Sequence, residues 1–215
     1  MLDDKTIDII SLTNFFKEEY KRADIDPADI QTGAVIVTGE SAKKHNARQI
    51  AEALSNDAGR FVAATAGPNF ESLIAAMGSG AAIRSKDDNK TILSCDIGGG
   101  TSNIAISRNG KILSTSCVSV GGRLLGVDSD GKIWRIDEPA AKVMENLGLK
   151  HAIGDPISKA DIERIAVKFA EILFEVLNGP AASSLARQLM LTADLNFPNR
   201  IDEYSFSGGV AELMY

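Results

Sequence analysis

The chain has few of the residues on which disulfide frameworks, metal clusters and histidine chemistry depend. Its 215 residues include only two cysteines and two histidines, and His45 and His151 lie far apart in the sequence. Cys95 and Cys117 fall within apolar segments, so we expect buried thiols, as in proteins of a reducing cytoplasm. The separated histidines give little support to a metal cluster or to histidine-based catalysis.

Charge and hydropathy exclude further classes of protein. Lysine and arginine number 23 against 29 acidic residues, a net charge of −6 with no basic run. Nucleic acid is therefore not an expected partner, because affinity for it depends on neutralising phosphates. A membrane is not expected either, since no apolar run approaches the roughly 18 residues of a spanning helix. The first residues, MLDDK, lack the basic and apolar regions of a signal peptide.

The most informative segment is residues 91–103, TILSCDIGGGTSN. An apolar run ends at Asp96, which could hold Mg²⁺ directly or through water. Three glycines follow, and their N–H groups can converge on an anion because no side chain stands in front of them. We predict a phosphate-binding turn formed by Gly98, Gly99, Gly100, Thr101, Ser102 and Asn103. The alternative is a plain glycine-rich hairpin turn with a capping aspartate.

Other nucleotide-binding motifs do not fit the sequence. It contains neither a G-x-x-x-x-G-K-[ST] loop nor a G-x-G-x-x-G opening a helix. A second strand is predicted at residues 103–107, and Asn109-Gly110 is a hairpin signal. The glycine turn is thus expected to join two antiparallel strands.

Helices and strands are expected to alternate in a mixed α/β fold. Apolar periodicity predicts helices at residues 12–22, 42–56, 71–77, 138–147 and 158–177. Strands are expected at residues 33–38 and 61–65, and a hairpin at 125–127 and 133–136. The polar segment 85–90, SKDDNK, reads as a connector and as the boundary between two lobes.

Three further features are placed to join the glycine turn. Glu71 leads a small-residue helix, where an acid is also favourable simply because of the helix dipole. The pair Gly121-Gly122 ends a strand, either near the phosphates or as a structural turn. Gly208 and Gly209 follow another strand, where a flat adenine base could lie against the backbone.

These segments, in this order, resemble the actin, heat-shock chaperone and sugar-kinase ATPase superfamily. Within it the chain is most similar to the ethanolamine ammonia-lyase reactivating factor, a likeness that spans nearly everything from about residue 32 onward. The motifs that carry it are GAVIVTGE (33–40), NAR (46–48), AATAGP (63–68), DIGGGTSN (96–103), VGGRLL (120–125) and FSGGV (206–210).

The resemblance implies an ATP- and Mg²⁺-dependent chaperone that opens ethanolamine ammonia-lyase, so that damaged cobalamin leaves and intact adenosylcobalamin enters. It implies two catalytic residues. Asp96 would bind Mg²⁺, usually through water, and Glu71 would orient water or the metal. Residues 98–103 would hold the β- and γ-phosphates, and Gly208 and Gly209 the adenosine. A bacterial cytoplasmic location follows, and the pathway allows association with a microcompartment.

The resemblance also implies a division of the chain and two departures from the superfamily. Residues 1–88 would be the C-terminal part of a first actin-like lobe with its connecting helix, and 89–215 a second lobe truncated at the adenosine motif. Arg123 stands where heat-shock members carry an acid, and no role is assigned to it. Nothing before residue 32 resembles the superfamily's first phosphate loop. We therefore expect an internal fragment, incomplete at both ends, with little ATPase activity alone.

Two other functions of the same superfamily remain alternatives. A small-molecule kinase would use the same phosphate turns but needs an acceptor site, which the sequence does not show. A filament-forming actin relative would polymerise on adding nucleotide. The fragment by itself is also compatible with a non-catalytic nucleotide-sensing module.

Overall fold

The structure is a computed structural model that describes residues 6–37, 61–196 and 200–214. The chain divides into two compact units, Met1–Gly67 and Pro68–Tyr215. The predicted division into actin-like lobes at residues 88 and 89 stays a prediction.

The first unit contains helix α1 (Ile9–Arg22), a short 3-10 helix (Pro27–Asp29) and the parallel strands β1 (Gly33–Val37) and β2 (Phe61–Thr65). The predicted helix and both strands are confirmed over the described residues. α1 begins before the predicted residue 12 because the Asp8 carboxylate caps it, accepting from the Ser11 N–H at 3.0 Å. The helix predicted at residues 42–56 lies outside the described residues.

A four-stranded mixed sheet forms the centre of the second unit. Its strands are β3 (Ile92–Ile97), β4 (Ser102–Arg108), β5 (Lys111–Val118) and β8 (Glu203–Ser207), in the order β5-β4-β3-β8. The β3–β4 and β4–β5 pairs are antiparallel, whereas β8 pairs with β3 in parallel. Asn109 and Gly110 join β4 to β5 with φ of 50° and 76°, the positive values that the predicted hairpin turn requires.

Helices α2 (Pro68–Gly78) and α3 (Ala81–Asp87) pack against β3, β4 and β5. The predicted connector at residues 85–90 is wrong over its first part, because α3 continues to Asp87. Ala81, Ala82 and Ser85 share the buried face of this short helix. The Ser85 hydroxyl donates to Ala82 O at 2.7 Å and accepts from Gly110 N at 3.1 Å, which holds the polar segment against the β4–β5 turn.

The remaining elements lie between β5 and β8 in the sequence. They are the predicted hairpin of β6 (Leu125–Val127) and β7 (Ile133–Ile136), followed by α4 (Glu138–Asn146), α5 (Lys159–Asn178) and α6 (Ser184–Leu189). The Ser158 hydroxyl caps α5 by accepting from Asp161 N at 3.1 Å. Because α6 has only six residues, too few for a periodic apolar pattern, the sequence does not predict it.

One apolar core joins the sheet to these helices. Side chains alternate along a strand, so Leu93, Cys95 and Ile97 of β3 face this core while Asp96 faces the side of α2 and α3. The helix α5 contributes its periodic stripe, as predicted: Ile165, Phe169, Ile172, Leu173, Val176 and Leu177.

Both cysteines are buried thiols, as expected from the sequence. Burial, and then the nearby charge of Asp96, raises the pKa of Cys95 to about 12, so this thiol stays protonated at neutral pH. In the described part of the chain, no helix is both long and apolar enough to span a membrane.

The β8 edge of the sheet is held by charges at its first residue. The carboxylate of Glu203 accepts from Lys90 Nζ at 2.9 Å and pairs with Arg84 of α3. The hydrogen bond from Lys90, with the positive charge of Arg84, holds the pKa of Glu203 below its ordinary value. A carboxylate whose pKa is lowered on folding stabilises the protein above its ordinary pKa and loses that contribution as pH falls through the folded value.

We therefore expect the substitution Glu203→Gln to lower the midpoint of urea unfolding at neutral pH. The difference from the wild type should vanish in acid, once the carboxylate is protonated in the folded protein too. Glu145→Gln, at an exposed position on α4, is the matched control. A difference for Glu203→Gln that persists unchanged in acid would contradict the charge pairing.

Candidate functional site

The glycine turn lies at the end of β3 and connects it tightly to β4. Ile97 pairs with Ser102 as the last pair of the ladder, and Gly98 N donates to Thr101 O at 2.9 Å. The N–H groups of Gly99, Gly100 and Thr101 donate to no protein group within the described residues. Free backbone donors at the tip of such a turn are what anion binding requires.

Asp96 stands beside this turn, between two neighbouring strands. It pairs with Asn103 of β4 and with Ser207 of β8, and it is half-buried. Its Oδ2 accepts from the Ser207 hydroxyl at 2.8 Å. The other carboxylate oxygen, Oδ1, has no hydrogen bond within the described residues and can therefore face a ligand. Ser207 was not predicted as a site residue, although its place directly before Gly208-Gly209 was a usable signal.

The polar side chains that follow the glycines are bonded to the protein itself. The Ser102 hydroxyl is fully buried and donates to Val120 O at 2.8 Å. Asn103 is buried too: its Nδ2 donates to Pro68 O at 3.3 Å, and its Oδ1 accepts from the Thr101 hydroxyl at 3.3 Å. The side chains of Ser102 and Asn103 thus fix the turn in place, and the backbone N–H groups remain its available donors. The predicted phosphate contacts of these residues stay a prediction.

The second glycine pair lies directly against the turn. Gly122 N donates to Gly98 O at 3.0 Å, and Arg123 N donates to Gly99 O at 2.7 Å. A Cβ on Gly121 would stand 2.5 Å from Gly99 O and 2.6 Å from Gly100 N, so only glycine permits this contact. The turn that contains Gly121 and Gly122 therefore holds the glycine turn in place through backbone contacts.

The third glycine pair follows β8 and meets the end of β3. Gly208 has φ of 90°, and a Cβ there would lie 2.5 Å from Ile97 O. Val210 N donates to that same carbonyl at 3.2 Å. Gly209 has nothing within 4 Å of its Cβ position and borders open space. The three glycine segments of the sequence, residues 98–100, 121–122 and 208–209, are therefore neighbours around one strand end.

Glu71 lies in the first turn of α2, which two polar contacts hold on the sheet. Ser72 donates to Ser116 O of β5 at 2.8 Å, and Asn103 donates to Pro68 O. Because Asp96 and Asn103 are paired, both face the side of the sheet that α2 covers. The Glu71 side chain is half-buried and forms no hydrogen bond or ion pair with the described residues. Its catalytic role stays a prediction.

An apolar groove of about 470 Å³ opens beside the second and third glycine pairs. Its lining includes Gly121, Gly122 and Val210, and one wall is formed by α5 from Ile162 to Leu173. The residues of that wall include Ile162, Ile165, Ala166 and Phe169. The sequence predicted α5 as a core helix but not this groove, because the groove depends on how the helix and the turns pack together.

The sheet has a glycine turn between two antiparallel strands, a further parallel strand with its own glycine turn, and helices packed on it. This arrangement is the actin-like ATPase fold, as the sequence predicts. The chain belongs to the family described as "Ethanolamine utilisation protein EutA", whose family model matches residues 1–215.

Curated relatives of this family are similar over most of the chain. It is 38% identical over 203 residues to the ethanolamine ammonia-lyase reactivase EutA of Salmonella typhimurium, and 39% over 201 residues to that of Escherichia coli. Each match covers 94% of this chain and 43% of the relative, so the chain spans less than half their length.

Solved structures with similar folds are more distant. One is the ethanolamine utilization protein EutJ from Carboxydothermus hydrogenoformans, 17% identical with a TM-score of 0.48. That match covers 96% of this chain and 63% of EutJ.

The contact of Gly208 with Ile97 predicts unequal effects of adjacent substitutions. Gly208→Ala should lower the free energy of unfolding by at least about 2 kcal/mol, because it adds a strained φ and a backbone overlap. Gly209→Ala, with open space around it, should change stability by less than about 0.5 kcal/mol. Urea unfolding of the two variants measures the difference. Equal losses would show that the third turn does not sit on Ile97 as described.

Proposed function

We propose that this chain forms part of the ATP site of a reactivase that releases damaged cobalamin from ethanolamine ammonia-lyase, so that intact adenosylcobalamin can bind. The main support is the convergence of the glycine triplet, the two glycine pairs and Asp96 on one strand end. The EutA relatives carry the name ethanolamine ammonia-lyase reactivase, which supports the choice of partner.

The phosphates of ATP would lie at the glycine turn. The N–H groups of Gly99, Gly100 and Thr101 are available there, and Gly98 belongs to the same turn. Backbone N–H groups that converge in this way bind anionic oxygens without needing a charged side chain. Ser102 and Asn103 would act by keeping the turn in shape while their own hydrogen bonds remain intact.

Magnesium fits the donor groups that are present. A hard cation prefers oxygen ligands, and Asp96 offers Oδ1, which has no hydrogen bond to the described residues. In the described part of the chain there is no group of three or more His, Cys, Asp or Glu residues able to form a protein cage. That suits Mg²⁺, which is commonly bound through one or two carboxylates together with the phosphates of the nucleotide.

The adenosine would lie against Gly208 and Gly209 and extend toward the apolar groove. The open space at Gly209 allows a flat base to approach the backbone, and the groove offers apolar walls. Nucleotide sites commonly combine such walls with a few polar groups that fix orientation.

Hydrolysis at this site would depend on positioning and charge rather than on covalent chemistry. Glu71, on the α2 side of the sheet with Asp96, would orient water or the metal. Loss of the γ-phosphate would relax the loops that it holds, and this movement would open the lyase. The proposed setting is the bacterial cytoplasm.

The nucleotide site is tested by titrating ATP with Mg²⁺, by calorimetry, into a chimera in which this chain replaces its counterpart in the E. coli relative. We expect Asp96→Asn to weaken binding of Mg·ATP by about 10-fold or more, as loss of a charged ligand group predicts. Asp130→Asn, in the exposed turn between β6 and β7, changes the net charge equally and should leave binding unchanged. Equal affinities for the wild type and Asp96→Asn would remove Asp96 from the site.

The partner is tested with a chimera in which this chain replaces its counterpart in the E. coli relative. Added with ATP and Mg²⁺ to lyase inhibited by cyanocobalamin, the chimera should release the inhibitor. The same chimera with Asp96→Asn should not. A folded chimera that binds ATP yet releases nothing would contradict the assignment to the lyase.

A further inference from the structure

Arg123 is the arginine that the glycine site leaves unexplained. It follows the second glycine pair, and it is the only basic side chain in the segments 96–103, 119–125 and 205–211 that form the three turns. The superfamily resemblance gave it no role. The contacts of Arg123 in the structure indicate one.

The main chain and the stem of Arg123 are both fixed on the glycine turn. Its N–H donates to Gly99 O at 2.7 Å. Its Cδ, Cβ and Cγ lie 3.4, 3.5 and 3.7 Å from the place that a Cβ on Gly99 would take. The aliphatic stem therefore lies over Gly99, where an added Cβ would be in ordinary van der Waals contact with it.

The guanidinium at the end of this stem is exposed and makes no ion pair or hydrogen bond within the described residues. It differs in this from every other arginine that the structure describes, since each of those donates to a carboxylate, a hydroxyl or a carbonyl. Those arginines are Arg22, Arg84, Arg108, Arg135, Arg164, Arg187 and Arg200. A cation held beside free N–H donors, and left without an acidic partner, is suited to an anionic ligand.

We propose that Arg123 is a phosphate-binding residue, whose guanidinium supplies the fixed positive charge for the phosphates of a nucleotide bound at the glycine turn. This inference rests on the proposed ATP site and adds a specificity to it. The backbone N–H groups of the turn bind any suitably shaped anion, whereas a guanidinium favours ligands with more phosphate charge. Arg123 therefore makes the site prefer nucleotides with phosphates over adenosine.

The test compares three probes, namely ATP, inorganic pyrophosphate and adenosine, titrated by calorimetry into the chimera with the E. coli relative and into its variants. Arg123→Gln keeps the Cβ and Cγ of the stem and removes the charge. We expect it to weaken binding of ATP and pyrophosphate by about 10-fold or more, the loss expected for a charge-assisted hydrogen bond. Binding of adenosine should not change.

Two further variants make the result specific. Arg123→Lys keeps the charge but loses the planar fork, so it should recover part of the affinity for ATP. Lys111→Gln removes one positive charge at the opposite end of β4, in the β4–β5 hairpin, and should leave all three affinities unchanged. Unfolding midpoints equal to that of the wild type establish that the variants are folded.

The outcomes separate this proposal from the one on which it rests. If the wild type binds ATP and Arg123→Gln binds it equally well, the role of Arg123 is refuted while the ATP site stands. An equal loss in Lys111→Gln would also refute it, because the effect would then reflect net charge alone. If the chimera with Arg123 intact binds neither ATP nor pyrophosphate, the ATP site itself is refuted and the role of Arg123 with it.

Discussion

Three backbone turns meet at the end of β3, and their contact depends on the absence of a Cβ at two positions. Gly121 approaches Gly99 and Gly100 so closely that even a methyl group would overlap the backbone, and Gly208 does the same at Ile97. Backbone N–H groups of the second and third turns donate hydrogen bonds to the carbonyls of residues 97–99, so these carbonyls point into the protein. The N–H groups at the tip of the first turn have no partner among the described residues. A site made of backbone donors follows from this packing, since the same contacts that fix the turn also orient its donors.

The polar side chains near the turn divide into two kinds. Ser102 and Asn103 are buried and bonded to Val120 and Pro68, so they hold the turn and α2 in fixed positions. Asp96, Glu71 and Arg123 keep charged groups that the protein does not fully use. This division suits a nucleotide site, because rigid supporting bonds reduce the reorganisation needed when phosphate and metal bind.

Much of the fold could be predicted from local pattern. The turn Asn109-Gly110, the stripe of α5 and the glycine segment each have a signal contained within a few neighbouring residues, and each lies where it was expected. The prediction of a connector at residues 85–90 was wrong for its first part, because the polar composition of this segment gave no sign of a helix. Residues 85–87 are the last turn of α3, whose small residues pack on the sheet. The six-residue helix α6 was missed for lack of periodicity. Ser207 and the apolar groove were not identified either, since both are defined by partners more than a hundred residues away or on another element.

The sequence by itself determined the chemistry available at the site: an aspartate at a strand end, glycines able to expose their N–H groups, and an arginine after the second glycine pair. These are properties of residue type and of nearest neighbours, and such properties are local. Only the tertiary structure decided which groups face the ligand side and which are used internally. The hydroxyl of Ser102 and the amide of Asn103 donate hydrogen bonds to the carbonyls of Val120 and Pro68. The side chain of Arg123, in contrast, is exposed and lies over Gly99. The physical reason is that a donor's availability depends on every group packed around it, and that packing is set by the whole fold.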